Sequence, residues 1–481
     1  MKKLLAFMFL MSNLVLVVQS QINWAPADDI ASASYGNHHP RIVTDAIGDP
    51  MLIWGHNAQV MFSRWTGTDF STPVVLSGTV TAAEASWMGP DIAAHGDTVY
   101  AVFKQSPEAA VSSHIFCVHS FDGGLSFSAP VQVDHVADSL SRFPTVTTDD
   151  FGNPLVAFMK FDPGFTGARW VLAKSTDFGL SFANDVKASG WSSPGTLACD
   201  CCPGAVTASG NKVAVIYRDN NSNIRDTWAG ISGNSGSSFS GGMNVDQQNW
   251  NMPACPASGP DGVITGDTLY TAFMNGASGT NRVYFNKSSI SAMTSSPGIL
   301  MTGTISGLAQ QNYPRLSVSQ QAAAVVWKQI VSGSSQLAVL FTGNLSAGFS
   351  SAYEVLASDN VENADVALAG EKICVVWEDY NTGTIRYRSG TYSGSSGIPD
   401  KSENRFSVFP NPSSYSWTIQ AERPLAVEIE LFNSCGALVY HHSPQAGLLT
   451  HIIDNTSLSR GLYILKLSYQ DHQQFIKLIR Q

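Results

Sequence analysis

The sequence predicts an all-β fold, a seven-bladed β-propeller followed by a small C-terminal β-sandwich. Seven short openings, each built on a proline or its counterpart, recur at positions 40, 90, 144, 203, 260, 314 and 364, in steps of 50, 54, 59, 57, 54 and 50 residues. A period near 50 that contains only strand signals is typical of a propeller with one blade per repeat. The openings are His39–Ile42, Gly89–Ile92, Phe143–Val146, Cys202–Ala205, Gly259–Gly262, Tyr313–Leu316 and Asn363–Val366.

Each repeat continues with short strands that are rich in β-branched and aromatic residues. In the second repeat, a hydrophobic strand at Val99–Phe103 is followed by a third strand at His114–Val118 and a weaker fourth at Pro130–Val133. Glycine, asparagine and aspartate bound these runs, as is usual for buried strands.

The seventh repeat has no fourth strand of its own. After Ile385–Tyr387 the chain turns to glycine and serine, whereas Trp24–Ile30, ahead of the first repeat, resembles a fourth strand. We therefore expect the propeller to span residues 22–392, with residues 24–34 lying beside the seventh blade. Closing the ring in this way removes open sheet edges.

The N-terminus and the charge restrict where the protein works and what it binds. Two lysines precede an apolar run at Leu4–Val18, which predicts a signal peptide over residues 1–20, because the run is too short to span a membrane. No later segment has 18 uninterrupted apolar residues, so we expect no transmembrane segment in the mature protein. A net charge of −10 argues against nucleic acid and anionic membranes as partners.

The period is lost near the C-terminus. Residues 393–404 are rich in glycine and serine and predict a flexible linker. Five strand-like runs follow without the 50-residue spacing, which predicts a small β-sandwich. The runs are Phe406–Phe409, Val427–Phe432, Gly436–Tyr440, Leu462–Leu467 and Phe475–Ile479.

Residues 405–481 resemble the C-terminal sorting domain of the bacterial type IX secretion system. The matching residues are Phe409–Pro412, Gly436, Leu458–Tyr463 and the basic end Lys477–Arg480. The resemblance implies a Bacteroidetes-type host and contact with the type IX machinery. It also implies a protein that is secreted or attached to the outer-membrane surface, with the domain removed on the way. A carbohydrate-binding sandwich is the alternative.

Two repeats carry the motif Ser-x-Asp-x-Gly-x-Ser-Phe between their third and fourth strands, at Ser120–Phe127 and Ser175–Phe182, and Ser232–Phe239 is a degenerate copy. The aspartate accepts backbone N–H bonds while glycine takes the positive φ, so the motif locks a hairpin. These motifs resemble the Asp-box repeats of sialidases and related propellers. The resemblance implies that Asp122 and Asp177 are structural and lie away from the active site.

The strands of a blade alternate in direction, so the start of the first strand and the end of the second lie on one face, called the top face below. Titratable and sulfur-containing side chains are dense there, and the opposite turns hold mainly glycine, asparagine, aspartate and threonine. The top face is therefore the expected site. Residues at the strand starts are His38, His39, Trp87, Met88, Arg142, Phe143, Cys201, Cys202, Cys255, Asn312, Tyr313, Glu362 and Asn363.

The first hypothesis for this face is a sialidase-like hydrolase, as the Asp-boxes suggest. Such enzymes need an arginine cluster for the substrate carboxylate, an aspartate acid/base, and a tyrosine nucleophile helped by a glutamate. The family's Arg-Ile-Pro order appears here as Pro-Arg-Ile, and sialidases have six blades, so arginines paired structurally with aspartates are an alternative. The candidates are Arg41, Arg142, Arg218, Arg315, Tyr313, Tyr380, Glu378 and Asp379.

The second hypothesis starts from the cysteines near the fourth and fifth openings, Cys199, Cys201, Cys202 and Cys255. This pattern resembles a signature that recurs in exported sialidase-like propellers, to which no activity attaches. Disulfides are the ordinary state of cysteines in exported proteins. The entry loops of neighbouring inner strands meet, so Cys255 is expected to bridge to one of the other three.

The thiols left over from such a bridge form a candidate metal or redox pair. A thiolate site with His38 or His39 would favour copper(I) or zinc, since both accept sulfur and imidazole ligands. Cys117 and Cys374 lie in strand centres and are expected to be buried thiols. Cys435 belongs to the sorting domain. A third hypothesis is non-enzymatic: a surface propeller whose top face binds a glycan or a protein.

Overall fold

The structure is a computed structural model that describes residues 22–30, 36–85, 87–135, 139–350, 352–392, 406–433, 436–469 and 472–481. The predicted signal peptide, the linker and Cys435 lie outside these residues. The chain divides into two compact units, Met1–Ser395 and Ser396–Gln481. In the described part of the chain, every regular element is a β-strand, and no helix there is long and apolar enough to cross a membrane.

The described residues of the first unit form seven antiparallel sheets of four or five strands. The first three sheets follow the chain in simple order. Their strands are β3 (Asn37–Thr44), β4 (Pro50–His56), β5 (Gln59–Arg64) and β6 (Val74–Val75); β7 (Asp91–His95), β8 (Thr98–Lys104), β9 (Ile115–Ser120) and β10 (Val131–Gln132); β11 (Leu140–Thr148), β12 (Pro154–Asp162), β13 (Thr166–Lys174) and β14 (Val186–Lys187).

The next three sheets repeat this arrangement, and two of them gain a short extra strand. Their strands are β15 (Leu197–Ala198), β16 (Ala205–Ser209), β17 (Lys212–Asn220), β18 (Thr227–Ser232) and β19 (Gly241–Asn244); β20 (Asp261–Thr265), β21 (Thr268–Asn275), β22 (Arg282–Ser289), β23 (Thr294–Ser295) and β24 (Ile299–Leu300); β25 (Leu308–Ser319), β26 (Ala322–Val331), β27 (Ser334–Thr342) and β28 (Glu354–Ser358).

The seventh sheet joins the two ends of the unit. It contains β29 (Val361–Ala369), β30 (Lys372–Asp379) and β31 (Thr384–Thr391), and its outer edge is supplied by β1 (Asn23–Trp24) and β2 (Asp28–Asp29). Trp24 pairs with Gly390, and Asp28 pairs with Tyr387. Residues 24–30 therefore stand in for the missing fourth strand, as the sequence predicts, and residues 31–34 of the predicted segment lie outside the described residues.

The innermost strands contact one another in a closed circle. In chain order they are β3, β7, β11, β16, β20, β25 and β29, and β29 contacts β3 again. Aspartates link three neighbouring pairs, because Oδ2 of each accepts a backbone N–H from the next strand. These bonds join Asp91 to Val146 (3.0 Å), Asp261 to Leu316 (2.8 Å) and Asp365 to Ile42 (3.1 Å).

The core of the first unit lies between adjacent sheets. The second strands are its main contributors, and every residue of β8 is buried. Large side chains fill the gaps between sheets, and Trp54, Trp170 and Trp327 are each at most 1% exposed. Burial of such side chains stabilises a fold by about 1.5–3 kcal/mol each. The described sheets thus form an all-β arrangement of blades around an axis.

The two Asp-box turns have the hydrogen bonds that the motif predicts. Asp122 accepts bonds from Ser120 Oγ (2.7 Å) and from the Ser126 N–H (2.9 Å), and Asp177 repeats both bonds with its own serines. Partial burial opposes ionisation, but the serine hydrogen bonds lower the pKa of Asp122. Ser120 pairs with Val99, at the opposite end of the sheet from Asp91, so this turn lies away from the top face.

The second unit contains β32 (Phe406–Phe409), β33 (Ser416–Asn433), β34 (Leu438–Asp454), β35 (Gly461–Tyr469) and β36 (His472–Arg480). They form one five-stranded antiparallel sheet in which β33 pairs with three neighbours. Trp417, Ile429 and Leu465 are among its fully buried side chains. The two packed layers of a sandwich remain a prediction for this unit.

Candidate functional site

All seven openings converge on one pocket at the axis of the first unit. Its volume is about 80 Å³, and it is open on one side. Its lining includes His39, Arg41, Trp87, Met88, Asp91, Phe143, Thr145, Pro203, Gly204, Ala257, Gly259, Tyr313, Arg315, Asn363 and Ala364. The pocket lies at the start of the innermost strands, which is the predicted top face.

Four side chains reach this pocket through a repeated backbone distortion. His39, Phe143, Tyr313 and Asn363 occupy the same position in their repeats, and each has a positive φ, between 43° and 53°. The pairing register of each first strand shifts at this point, which marks a β-bulge. Bulges redirect side chains and are common beside functional sites. Each of these four openings therefore begins a strand and also directs one side chain into the axial pocket.

A ring of charged residues lies two positions further along the strands. The ring consists of Arg41, Asp91, Asp261, Arg315 and Asp365, so two positive and three negative groups lie around the axis. Nε of Arg315 is 3.0 Å from Oδ1 of Asp365 and 3.5 Å from Oδ2 of Asp261. Burial opposes the charge of Arg315, but the two aspartates raise its pKa.

The charge of Arg315 also shifts the pKa values of Asp261 and Arg41. Burial raises the pKa of Asp261, and the Arg315 guanidinium opposes that shift. Burial lowers the pKa of Arg41, and the like charge of Arg315 adds to the effect. The ring is thus a nearly balanced set of charges that link neighbouring strands, and its aspartates also hold the strands together by backbone hydrogen bonds.

The four candidate arginines do not form one cluster. Arg41 and Arg315 line the pocket, whereas Arg142 pairs with Glu108 and lies over the rings of Phe143 and Phe165. Arg218 is fully buried and donates hydrogen bonds to three backbone carbonyls, those of Arg225 (2.7 Å), Met274 (2.7 Å) and Ser258. Arg218 therefore has a structural role that fixes the loops around the fourth and fifth sheets.

The candidate tyrosine and acids are also separated by their partners. Tyr313 lines the pocket, and burial raises its pKa, which is the reverse of what activates a nucleophile. Glu378 accepts hydrogen bonds from Asn363 Nδ2 and pairs with His38 Nδ1, each at 3.0 Å. Asp379 accepts backbone N–H bonds within its own turn. Tyr380 is half exposed near Lys328.

His38 and Glu378 shift each other's pKa values toward their charged forms. The hydrogen bond with Glu378 raises the pKa of His38, although burial opposes it. Burial alone would raise the pKa of Glu378, but the bonds from His38 and Asn363 lower it. His39 points into the pocket, and its backbone N–H also faces Glu378 at 3.3 Å. The two histidines thus belong to the junction of the first and seventh sheets.

The cysteines are brought together as predicted. Cys201 and Cys255 form a disulfide with their Cα atoms 6.3 Å apart, within the span of such a bond. The Sγ atom of Cys199 lies 3.6 Å from that of Cys201 and 3.3 Å from that of Cys202. All four sulfur atoms lie within 4.8 Å of one another, and this group contains no histidine.

Cys199 and Cys202 are both buried, but their environments differ. The hydrogen bond with Cys202 lowers the pKa of Cys199 to about 7, against the effect of burial, and the positive charges of Arg225 and Arg218 contribute. Burial raises the pKa of Cys202, and its bond to Cys199 adds to the shift. The pKa of Cys199 therefore lies below that of Cys202. Copper(I) or zinc at this group would require reduction of the disulfide.

Cys117 and Cys374 lie elsewhere in the core. Both are buried, as predicted for cysteines in strand centres. Burial raises the pKa of Cys117 and also that of Cys374, the latter to about 11. These two thiols are therefore inert at neutral pH.

The second unit is recognised by its sequence. Residues 407–481 match the model of the family described as secretion system C-terminal sorting domain. The second unit is a sorting domain. Such a domain indicates export, followed by secretion or attachment to the cell surface, and it implies interaction with the secretion machinery. A search of curated proteins found no match for the chain.

Solved structures with a similar fold are distant in sequence. A protein of unknown function from Dyadobacter fermentans is 12% identical, with 64% of this chain and 95% of that chain covered and a TM-score of 0.44. A polysaccharide lyase, the PL25 ulvan lyase, is 10% identical, with coverage of 77% and 94% and a TM-score of 0.49. The Trypanosoma rangeli sialidase is 10% identical, with coverage of 95% and 89% and a TM-score of 0.45.

Proposed function

We propose that this protein is a secreted or surface-attached seven-bladed β-propeller that binds an uncharged glycan on its top face. The observation that carries the proposal is the axial pocket, to which all seven openings contribute side chains. Pockets that combine aromatic walls with a few converging polar groups are the usual ligand sites of proteins. The seven sheets and the closed circle of inner strands support the blade count.

Trp87 provides the surface on which a sugar ring would lie. It lines the pocket and is 48% exposed, whereas its neighbour Met88 is buried. An indole ring offers a broad apolar face together with an N–H donor, and it suits ligands that are apolar on one side and polar on the other. A ligand that extends beyond the pocket would lie against this exposed ring.

The charges of the pocket favour an uncharged group. Of the charged ring, only Arg41, Asp91 and Arg315 line the pocket, and Arg315 is already paired with Asp261 and Asp365. Counted over the whole ring, two arginines and three aspartates leave an excess of one negative charge, so an anionic sugar would meet no free arginine cluster. The same arrangement argues against sialidase chemistry, because Glu378 is bound to His38 and Asn363 instead of assisting a tyrosine.

A glycan array tests ligand class and chemistry together. Binding of the purified first unit should be detected on neutral glycans and should be at least tenfold weaker on their sialylated counterparts, a difference of about 1.4 kcal/mol. A fluorogenic sialoside should not be hydrolysed. Strong binding to sialylated glycans alone, or turnover of the sialoside, would refute the proposal.

The sorting domain is expected to direct secretion without supporting the fold of the first unit. In the native host, a chain that ends after Ser395 should fold but remain inside the cell, because the first unit contains its own core and the signal lies in residues 407–481. The full chain is the control. Normal secretion of the shortened chain, or its aggregation after purification, would contradict this expectation.

A further inference from the structure

The four clustered cysteines differ in how far they are buried. Cys255 is exposed and Cys201 is half-buried, while Cys199 and Cys202 are fully buried. The disulfide joins the first two, and Sγ of Cys199 lies 3.6 Å from that of Cys201 and 3.3 Å from that of Cys202, within one compact cluster. A reactive group at the inner end therefore has a route to the surface through the disulfide.

The separation of Cys199 from the disulfide suits reaction between them. Atoms held about 3–3.5 Å apart in a fixed geometry are close to the arrangement from which bonds form. The local chain maintains this proximity, since the Cys199 N–H bonds to the Arg218 carbonyl at 2.9 Å and the Cys202 N–H faces the Cys199 carbonyl at 3.4 Å. Attack on the Cys201 sulfur requires the Cys199 side chain to rotate into line with the Cys201–Cys255 bond.

The surroundings of Cys199 stabilise the anion that such a reaction requires. The guanidinium of Arg218 is held in place by three carbonyls, and Nε of Arg225 donates to the Met252 carbonyl at 3.2 Å. The Nη1 atom of Arg225 is buried and has no hydrogen-bond partner among the described residues. Thiolates are the nucleophiles of disulfide exchange, and nearby arginines favour them.

We propose that Cys199 and the Cys201–Cys255 disulfide form a thiol–disulfide exchange site that exposes a reactive Cys255 thiolate. The Cys199 thiolate attacks Sγ of Cys201, so that a Cys199–Cys201 bond forms as the Cys201–Cys255 bond breaks. The electron pair leaves on Cys255, and no net oxidation or reduction occurs. The buried thiolate is thereby exchanged for a thiolate at the surface.

The substrate class follows from the position of Cys255. Its thiolate would attack an accessible disulfide, R–S–S–R′, forming a Cys255–S–S–R bond and releasing R′–S⁻. The released thiolate carries the electron pair, so the exchange is again balanced. Cys255 follows the loop that contains Met252 and lies outside the lining of the axial pocket. Capture of a disulfide therefore uses a residue that does not itself line the axial pocket.

To test the proposal, the native protein is incubated with the aromatic disulfide dithionitrobenzoate in the absence of reductant. The products are then mapped by digestion and mass spectrometry. We expect the nitrobenzoate thiol on Cys255 together with a Cys199–Cys201 bond. In Cys199→Ser the labelling of Cys255 should fall at least tenfold, while Cys117→Ser, which removes a distant buried thiol, should label as the unaltered protein does.

Mapping of the unaltered protein provides a readout that needs no variant to fold. Label on Cys199 itself, or a Cys201–Cys255 bond that stays intact under prolonged treatment, would overturn the proposal. Equal labelling of Cys255 in Cys199→Ser would do the same. Stoichiometric zinc or copper bound to four reduced cysteines in the purified protein would replace exchange with metal binding and would also overturn it.

Discussion

Replacing Arg315 with methionine should lower the free energy of unfolding of the first unit by about 3–5 kcal/mol, the usual effect of removing one partner from a buried ion pair. Arg315 lies between Asp261 and Asp365, and both aspartates also hold a backbone N–H of the next inner strand. Without the arginine, two buried carboxylates lose their ion-pair partner, and Arg41 is the one arginine left in the ring. Chemical or thermal unfolding of the purified first unit measures the change.

The pH dependence of this variant separates charge from packing. Burial raises the pKa of Asp261 and the Arg315 guanidinium opposes that shift, so loss of the arginine raises this pKa further above that of the unfolded chain. An acid with a raised pKa destabilises the fold at high pH, so the variant should regain stability as the pH falls through that raised value. Arg169→Met removes an exposed pair with Asp162 and should change stability by less than about 1 kcal/mol. Equal losses in both variants would show that the charged ring contributes little.

Cys255→Ser should reduce stability by about 2–4 kcal/mol, because the Cys201–Cys255 bond links positions 54 residues apart and restricts the unfolded chain. The bond also joins the loops that precede the fourth and fifth sheets, so its loss should loosen that junction first. The melting temperature, measured with and without reductant, tests the expectation. Reductant should lower the melting temperature of the unaltered protein and leave that of the variant unchanged.

A different outcome would change the role assigned to the cysteines. If Cys255→Ser melts at the original temperature but loses a bound metal, the four sulfur atoms act as ligands rather than as a structural bridge. If the Cys201–Cys255 bond stabilises the fold, the melting temperature must fall when the bond is reduced.

The strands of the first unit were predictable because their pattern depends on local sequence. The second strand of each repeat is a continuous apolar run, and in β8 every residue of that run is indeed buried. The cysteine bridge was predictable for a related reason, since loops that precede neighbouring inner strands must meet. Which partner Cys255 would take was open. The turn that buries Cys199 and Cys202 leaves Cys201 to face it.

The bulges at the pocket were not predictable from the same pattern. Residues before proline normally adopt extended backbone, yet His39, Phe143 and Tyr313 precede prolines and have positive φ. The close packing of inner strands around the axis imposes this conformation, and a single repeat does not contain that information. The repeated aromatic or imidazole side chain before proline was the available signal.

The roles of the arginines also depended on tertiary contacts. Arg218 and Arg315 both stand beside aspartates in sequence or space, but Arg218 bonds to carbonyls whereas Arg315 pairs with acids from two other repeats. Sequence spacing cannot distinguish these cases, because the partners lie roughly one repeat away. The charge balance around the pocket, on which the proposed preference for an uncharged ligand rests, became apparent only from the structure.

Calorimetric titration of the best neutral glycan into the Trp87→Ala variant tests the central claim most directly. Affinity should fall at least tenfold, which corresponds to about 1.4 kcal/mol, with no change in the melting temperature. Phe151→Ala is the matched control, because Phe151 is a similarly exposed aromatic residue in the turn between β11 and β12, away from the top face. Retained affinity in Trp87→Ala, or an equal loss in Phe151→Ala, would contradict binding at the axial pocket.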